Sequence, residues 1–292
     1  MSSNFAAHIV ILNYNGAAFL PECLPSIATA QKKGRVRTQV TLLDNLSTDN
    51  GVEYVQKNFP QFRIEKARAN RILCSYNDFL PKIEESIVIL LNNDIRVEPD
   101  FIDPLMEKFT QDPLTFLVAP RVMTFDGKTI EAGQTKAGIR FGFFWCDARF
   151  PGYASRALQP SQTYSSGFGA FSRGKFLELG GYDDLYLPGI MEDVDLSHRA
   201  QKKGYHLYYE PRSVVYHMGQ ASFKKRFGSK EIAIMAHRNN FLFMWKNFSG
   251  PFFWLSHLFF LPFRFLYFLL KGNLAPLQGF VRALQIQRTR PR

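Results

Sequence analysis

The segment IVILLNND, Ile87 to Asp94, decides the fold. Five aliphatic residues follow one another without a polar interruption, as a strand buried on both faces of a parallel sheet requires, and the run stops on three polar residues. The same form recurs at His8 to Leu12 (HIVIL), which ends in Asn13-Tyr14-Asn15-Gly16, and at Gln39 to Leu43 (QVTLL), which ends in Asp44-Asn45-Leu46-Ser47-Thr48-Asp49. A fourth run is Thr115 to Ala119, TFLVA. Between them, Ala17 to Gln31, Ser47 to Asn58 and Leu73 to Glu85 carry helical spacing, with Ser47 or Thr48 as an N-cap and Gly34 as the stop of the first helix. Alternating strands and helices predict an α/β fold, an open, mostly parallel twisted sheet with helices on both faces. Ligands of such sheets bind beyond the carboxyl ends of the strands. One polar strand end suits a turn or a cap; three in register point to a ligand.

No G-x-G-x-x-G and no Walker lysine stands near these ends, so a carboxylate at the tip of a central strand suggests that a metal, rather than backbone amides, neutralises a bound diphosphate. The second half holds a denser cluster: Ser166 to Phe171 (SGFGAF), Gly180-Gly181-Tyr182-Asp183, Glu192 to Arg199 (EDVDLSHR) and His217. Asp193, Leu196, Ala200 and Lys203 run at helical intervals, placing Glu192 and Asp193 at a helix N-terminus and Arg199 about two turns along. Tyr205 to Tyr209 and Ser213 to His217 read as extended segments, leaving His217 at the end of the last strand.

Composition sets the boundaries. At 292 residues, 46% apolar and 21% charged, the chain has ample core for one or two domains, and disorder or a fibrous repeat is excluded. Cys23, Cys74 and Cys146 are scattered and form no Cys-x-x-Cys pair, which fits reduced thiols in a cytoplasmic domain better than a disulfide framework or a zinc ribbon. No basic-then-apolar leader precedes Ile9, and no myristoylation signal is present. Residues 1–220 are neutral; residues 221–292 carry 12 basic residues against the single acid Glu231, which accounts for the whole net charge of +11. That tail contains Pro251 to Leu270, PFFWLSHLFFLPFRFLYFLL, long enough to span a bilayer but interrupted by Pro262 and Arg264. Two short helices, about 251–261 and 263–271, lying on an anionic membrane surface fit the proline and flanking charge better than a span. So aromatic a basic patch does not suit a phosphate groove, and nucleic acid is set aside.

The strings VILNYNG (10–16), LLDNLSTDNG (42–51), LLNNDIRVEPDFI (90–102), SGFGAFSR (166–173), LGGYDDLYLPGIMEDVDLSHRAQKKGY (179–205) and VVYHMG (214–219) occur in the order expected of glycosyltransferase family 2. Together they resemble its GT-A-fold enzymes, and most closely the rhamnosyltransferase-like branch. The resemblance covers roughly residues 8 to 245. It implies inverting transfer of a sugar from a nucleoside-diphosphate donor to an acceptor hydroxyl, with Mn²⁺ or Mg²⁺. By residue, it implies Asp193 as the general base, with Glu192 as the alternative. Asp44 matches the base-contacting carboxylate, with Asn13, Asn15, Asn77, Asn92 and Arg199 completing the donor side. Asp94 and His217 match the metal ligands, although the DXD-type motif is here Asn92-Asn93-Asp94 and lacks its first acid. Gly167, Phe168 and Gly169 lie on the acceptor side, where glycines permit close approach or form a structural bend. Ile72 and Tyr76 replace glycines common in the family and leave the nucleobase open; dTDP-rhamnose is the donor suggested by the nearest branch.

The expected organisation is a catalytic domain over 1–220, a closing helical segment over 221–250 around Arg238-Asn239-Asn240, and a membrane-surface tail over 251–292. The tail would hold the enzyme on the inner face of the cell membrane, against a lipid-linked glycan acceptor of cell-envelope polysaccharide synthesis. A non-catalytic nucleotide-sugar-binding scaffold is the alternative, disfavoured because Asp44, Asp94, Asp193 and His217 are all present. A nucleotidyltransferase would need a basic first loop that Asn13 to Gly16 does not provide.

Overall fold

The computed structural model describes residues 6–219 and 221–289, with side chains left undescribed at 221, 222, 224 and 225. The tail's Lys224, Lys225, Arg290 and Arg292 therefore lie outside the described side chains. The elements run β1 (Ala6–Asn13), α1 (Leu20–Lys33), β2 (Arg37–Asp44), α2 (Gly51–Asn58), β3 (Arg63–Lys66), α3 (Tyr76–Phe79), β4 (Ile87–Asn92), β5 (Ile95–Val97), α4 (Ile102–Gln111) and β6 (Thr115–Thr124). There follow β7 (Ile130–Ala132), β8 (Lys136–Arg140), β9 (Phe143–Asp147), α5 (Tyr153–Arg156), β10 (Ser161–Gln162), β11 (Gly169–Ser172), α6 (Arg173–Glu178), α7 (Glu192–Lys202) and β12 (His206–His217). Three helices end the chain: α8 (Ala221–Asn247), α9 (Pro251–Leu270) and α10 (Ala275–Thr289).

The four predicted strands form one sheet of order β10-β12-β6-β11-β4-β1-β2-β3, with β5 and β7 paired at one side. Parallel pairing joins β3, β2, β1 and β4, and again β6 and β12; antiparallel β11 lies between the two blocks. Alternation in β1 sends Ile9 and Ile11 to one face, against Leu24 and Ile27 of α1, and Val10 and Leu12 to the other, against Tyr76, Phe79 and Leu196. Both faces are thus covered, as the unbroken apolar runs predict.

Several boundaries differ from the sequence reading, each for a local reason. The helix expected over 73–85 is three short pieces: a 3₁₀ turn at Ile72–Ser75, α3, and a second 3₁₀ turn at Leu80–Lys82 that contains Pro81. The second helix starts at Gly51 rather than Ser47, because the Ser47 hydroxyl is taken by Asn13 and Asn15, while Asp49 accepts from the Gly51 and Ala17 amides. The two segments expected over 205–209 and 213–217 are one strand, β12, with an irregularity between Glu210 and Val214. The tail has one continuous helix where two were expected. Pro262 lacks the N–H for one helix hydrogen bond, yet α9 carries on through it.

A third core lies away from the sheet. Phe143 and Phe144 of the β8–β9 hairpin pack with Phe241 to Met244 of α8, and Phe253, Phe260 and Phe265 of α9 close over them. Helix α9 touches this layer along its whole length, with ring centroids 5.6 Å apart at Phe248–Phe253, 5.1 Å at Phe141–Phe260 and 5.6 Å at His237–Phe268. Gly142, at φ 70°, brings the hairpin tip so close to α9 that a Cβ would lie 2.5 Å from the His257 backbone. There His257 Nδ1 donates to Gly142 O (2.8 Å) and its Nε2 accepts from Trp245 Nε1 (3.3 Å), which fixes a neutral tautomer. The opposite face of α9, formed by Phe252, Leu255, Phe259, Phe263, Leu266 and Leu270, is exposed, and the helix is long and apolar enough to cross a membrane.

Candidate active site

The register of β1 sets the pocket's floor. Asn13 lies opposite Asp44 and Leu12 opposite Asn92, so the three polar strand ends finish level. Asn13 is fully buried: its Nδ2 donates to Asp44 Oδ1 (3.2 Å) and Ser47 Oγ (3.1 Å), and its Oδ1 accepts from Asn93 Nδ2 (2.7 Å). Asp44 Oδ2 accepts from the Ser47 amide (3.1 Å), and Asn15 Oδ1 from the Thr48 amide (2.8 Å). These side chains are engaged with one another and brace the floor. The pocket surface itself carries Asn45, Asn92 and Asp94. Asn45, missed by the sequence reading, donates to Ile72 O (3.2 Å) and keeps a buried Oδ1 without a partner.

Asp94, His217 and Glu131 form one line. His217 Nε2 is 3.4 Å from Asp94 Oδ2, and His217 Nδ1 is 3.1 Å from Glu131 Oε2. Burial alone would lower the histidine, but the two carboxylates outweigh it and hold it above the usual imidazole range. Asp94 Oδ1 is buried and has no partner. Glu131, on β7, carried no sequence signal, since only strand pairing brings it beside His217.

Because β11 runs antiparallel to β4, its beginning rather than its end reaches this edge, and Gly167 and Phe168 line the pocket while Gly169 does not. Gly169, at φ 142°, lies where a Cβ would meet Val118 O at 2.5 Å. Facing Gly167, whose Cβ position is 3.6 Å from Asp193 Oδ2, stand the two acids at the start of α7. Burial raises Asp193 above the usual carboxylate range. Burial and the Asp193 charge push Glu192 up to about 8, and its Oε2 has no hydrogen-bond partner. The residues leading into α7 are strained: Ile190 and Met191 have φ of 75° and 82°, unusual for side chains of that size. Asn239 of α8 holds them there, donating from Nδ2 to the carbonyls of Tyr186 (2.9 Å), Gly189 (2.8 Å) and Ile190 (2.7 Å).

Two sequence-predicted residues lie elsewhere. Asn77 donates to Tyr182 O (2.7 Å) and accepts from Tyr182 N (2.9 Å), pinning the Gly180-Gly181 turn. Arg199 donates to Asp195 Oδ2 (2.7 Å) and Gly181 O (2.6 Å); fully buried Asp195 also accepts from Lys246, Asn247 and Tyr186, tying α7 to the end of α8. The cation lining the pocket, among the described residues, is instead Arg226 of α8, 5.4 Å above the Tyr14 ring. The completed pocket has a volume of about 650 Å³.

An open, mostly parallel sheet with polar strand ends, closed by an acidic helix start, is the GT-A arrangement of nucleotide-sugar transferases. GalNAc-T7, solved with UDP, GalNAc and Mn²⁺, shares it at a TM-score of 0.63 and 16% identity, covering 84% of this chain; this chain spans about half (48%) of that one. The 1–349 portion of S. aureus TarS matches at a TM-score of 0.56 and 13% identity, covering 97% of this chain and 80% of that one. The family model for glycosyl transferase family 2 matches residues 8–180, and the chain belongs to that family. A curated relative, the N-acetylglucosaminyl-diphospho-decaprenol L-rhamnosyltransferase of Mycobacterium tuberculosis, is 26% identical over 268 residues, 83% of this chain and 85% of that protein.

Proposed function

We propose that the chain is an inverting, metal-assisted glycosyltransferase that moves a sugar, with dTDP-rhamnose as the first donor to try, onto a hydroxyl of a lipid-linked glycan. The observation that carries this reading is the juxtaposition of half-buried Asp193 with Gly167 on one wall and of Asp94 with His217 on the other. A carboxylate held above its ordinary range is a competent acceptor of a hydroxyl proton near neutral pH. Asp193 takes the proton of the acceptor hydroxyl; the freed oxygen bonds to the donor's anomeric carbon on the face opposite the diphosphate, and the bond from that carbon to the diphosphate oxygen breaks, the nucleoside diphosphate leaving with the electron pair. Glu192, largely neutral below about pH 8, is placed to stay a hydrogen-bond donor beside that base.

The partnerless Asp94 Oδ1 and the Nε2 of His217, whose other nitrogen Glu131 orients, fit a divalent cation. When bound, such an ion would neutralise charge on the leaving diphosphate. No group of three His, Cys, Asp or Glu able to hold a metal occurs among the described residues, so the remaining ligands would be diphosphate oxygens and water. Mn²⁺ or Mg²⁺ is the expected ion. Arg226 supplies a further positive charge for the diphosphate from the lid side.

The relative's acceptor is named as a lipid-linked saccharide, and α9 supports the same class here. A helix packed lengthwise against the domain, with an apolar outer face, favours lying in the interface over crossing the bilayer, on the cytoplasmic side of the membrane. The division proposed is therefore catalytic 1–220, closing segment 221–250 and membrane-surface tail 251–292. The test is transfer from dTDP-, UDP- and GDP-sugars to a polyprenyl-diphosphate-linked GlcNAc, with and without Mn²⁺ or Mg²⁺. Asp193→Asn should lower turnover about 10²- to 10⁴-fold while sparing donor binding, whereas Asp94→Ala should weaken both. Near-parental turnover in Asp193→Asn overturns the base assignment.

A further inference from the structure

The tip of the β8–β9 hairpin and α9 enclose a second groove of about 850 Å³, with walls of Phe141, Phe143, Trp145, Phe260 and Phe263 and two arginines, Arg140 and Arg264. Arg264 stands inside an apolar helix; its Nε is buried without a hydrogen-bond partner, and its guanidinium lies 4.3 Å over the Phe143 ring and 5.5 Å over Phe268. Aromatic faces attract a cation but do not neutralise it, and a half-buried guanidinium with no anion beside it is incompletely compensated. Arg140, exposed at the hairpin turn, stacks 5.1 Å over Phe141. Among the described residues, no acid lines the groove. Two cations in an aromatic trough suit a ligand with an apolar chain and an anionic end.

Strand β9 also connects the groove with the surroundings of the active site. Phe143 lies under Arg264, and three residues further along β9 the Cys146 thiol is 3.7 Å from Ser165 Oγ, two residues before Gly167. Three strand residues cover about 10 Å, so one strand runs from the cationic groove to the segment that leads into Gly167.

We propose that this groove binds the diphosphate and the first isoprenoid units of the lipid-linked acceptor, with Arg264 and Arg140 on the phosphate oxygens and the acceptor sugar directed along β9 toward Gly167 and Asp193. The inference rests on the acceptor class proposed above. It assigns the recognition of that acceptor to residues that no strand-end motif contains.

Farnesyl diphosphate is the probe, titrated into the full-length protein in neutral detergent and followed by calorimetry. Saturable binding is expected, weakened about tenfold by Arg264→Gln and severalfold by Arg140→Gln, with inorganic diphosphate and farnesol each about tenfold weaker than the probe. Arg140 is exposed, so its replacement reports even if Arg264→Gln fails to fold. Equal affinity for inorganic diphosphate would put the probe in the donor pocket and overturn the proposal, as would unchanged affinity in both variants. Displacement of the probe by equimolar phosphatidylglycerol would assign the groove to bulk lipid and overturn it too. The two readings fail separately. Transfer to a lipid-linked acceptor with an unaltered acceptor KM in both arginine variants sinks the groove alone; farnesyl diphosphate bound as expected, with no transfer from any donor, sinks the transferase reading alone.

Discussion

Glu192 and Asp193 are adjacent, and the function proposed above gives them different roles. Both are acids at a helix start, where the dipole favours negative charge, and in both burial prevails and raises the pKa. The consequence for stability has a definite sign. Between the ordinary value of 4.5 and about 8, Glu192 is protonated in the folded chain and ionised in the unfolded one, so stability falls as pH rises through that window and levels off above it. Glu192→Gln should therefore melt close to the parent at pH 5 and above it at pH 8.5, by several degrees in a thermal scan. Equal differences at the two pH values would remove the protonated-carboxyl assignment.

At the scale of elements, α8 does two jobs divided by Gly228, whose φ of 73° and ψ of 156° break the helix. After the break, Arg238 and Asn239 clamp the loop that feeds α7, Arg238 donating to Leu187 O (2.6 Å). Before it, the first turns bring Phe223 and Arg226 to the pocket. Arg226→Ala should raise the donor KM about tenfold with little change in melting temperature, since the side chain is exposed and its visible contacts are to rings. The strand ends, the acidic start of α7 and His217 at the end of β12 were legible because β periodicity and helix spacing place residues along an element. Periodicity does not say what a neighbouring element offers. Arg199 therefore read as a donor ligand, although the fold turns it to Asp195 one turn back and to the carbonyls of Leu179 and Gly181. Asn45 stood in a polar strand end without being singled out, while Arg226 at the pocket and Glu131 behind His217 arrive only through tertiary packing and left no mark in the sequence. The 73–85 segment shows the converse: apolar spacing suggested a helix, and Pro81 with the turn at Ile72, at φ 52°, divided it.

For the whole molecule, the tail is part of the core as well as its outer edge. Phe253, Phe260 and Phe265 cover Phe143, Phe144 and Phe241, and α10 packs on α8 through Gly279 and the Arg282–Glu231 pair. Ending the chain at residue 248 should thus do more than release it from membranes: it uncovers the hairpin and α8, with loss of several kcal/mol of apolar burial. A sharp fall in melting temperature and in lipid-vesicle co-sedimentation is expected together; a truncated chain with parental stability and full vesicle binding would show that the tail serves neither purpose.

Because the hairpin is clipped to α9 at Gly142 and His257, the membrane-surface placement proposed above for α9 would give the pocket a set height above the lipid. An enzyme so held would meet a lipid-linked acceptor by lateral diffusion within a plane. Its effective substrate concentration is then a mole fraction in the bilayer instead of a molarity. Thinning the acceptor with inert phospholipid should slow turnover in proportion, while diluting whole vesicles with buffer, once the protein is bound, should leave it unchanged.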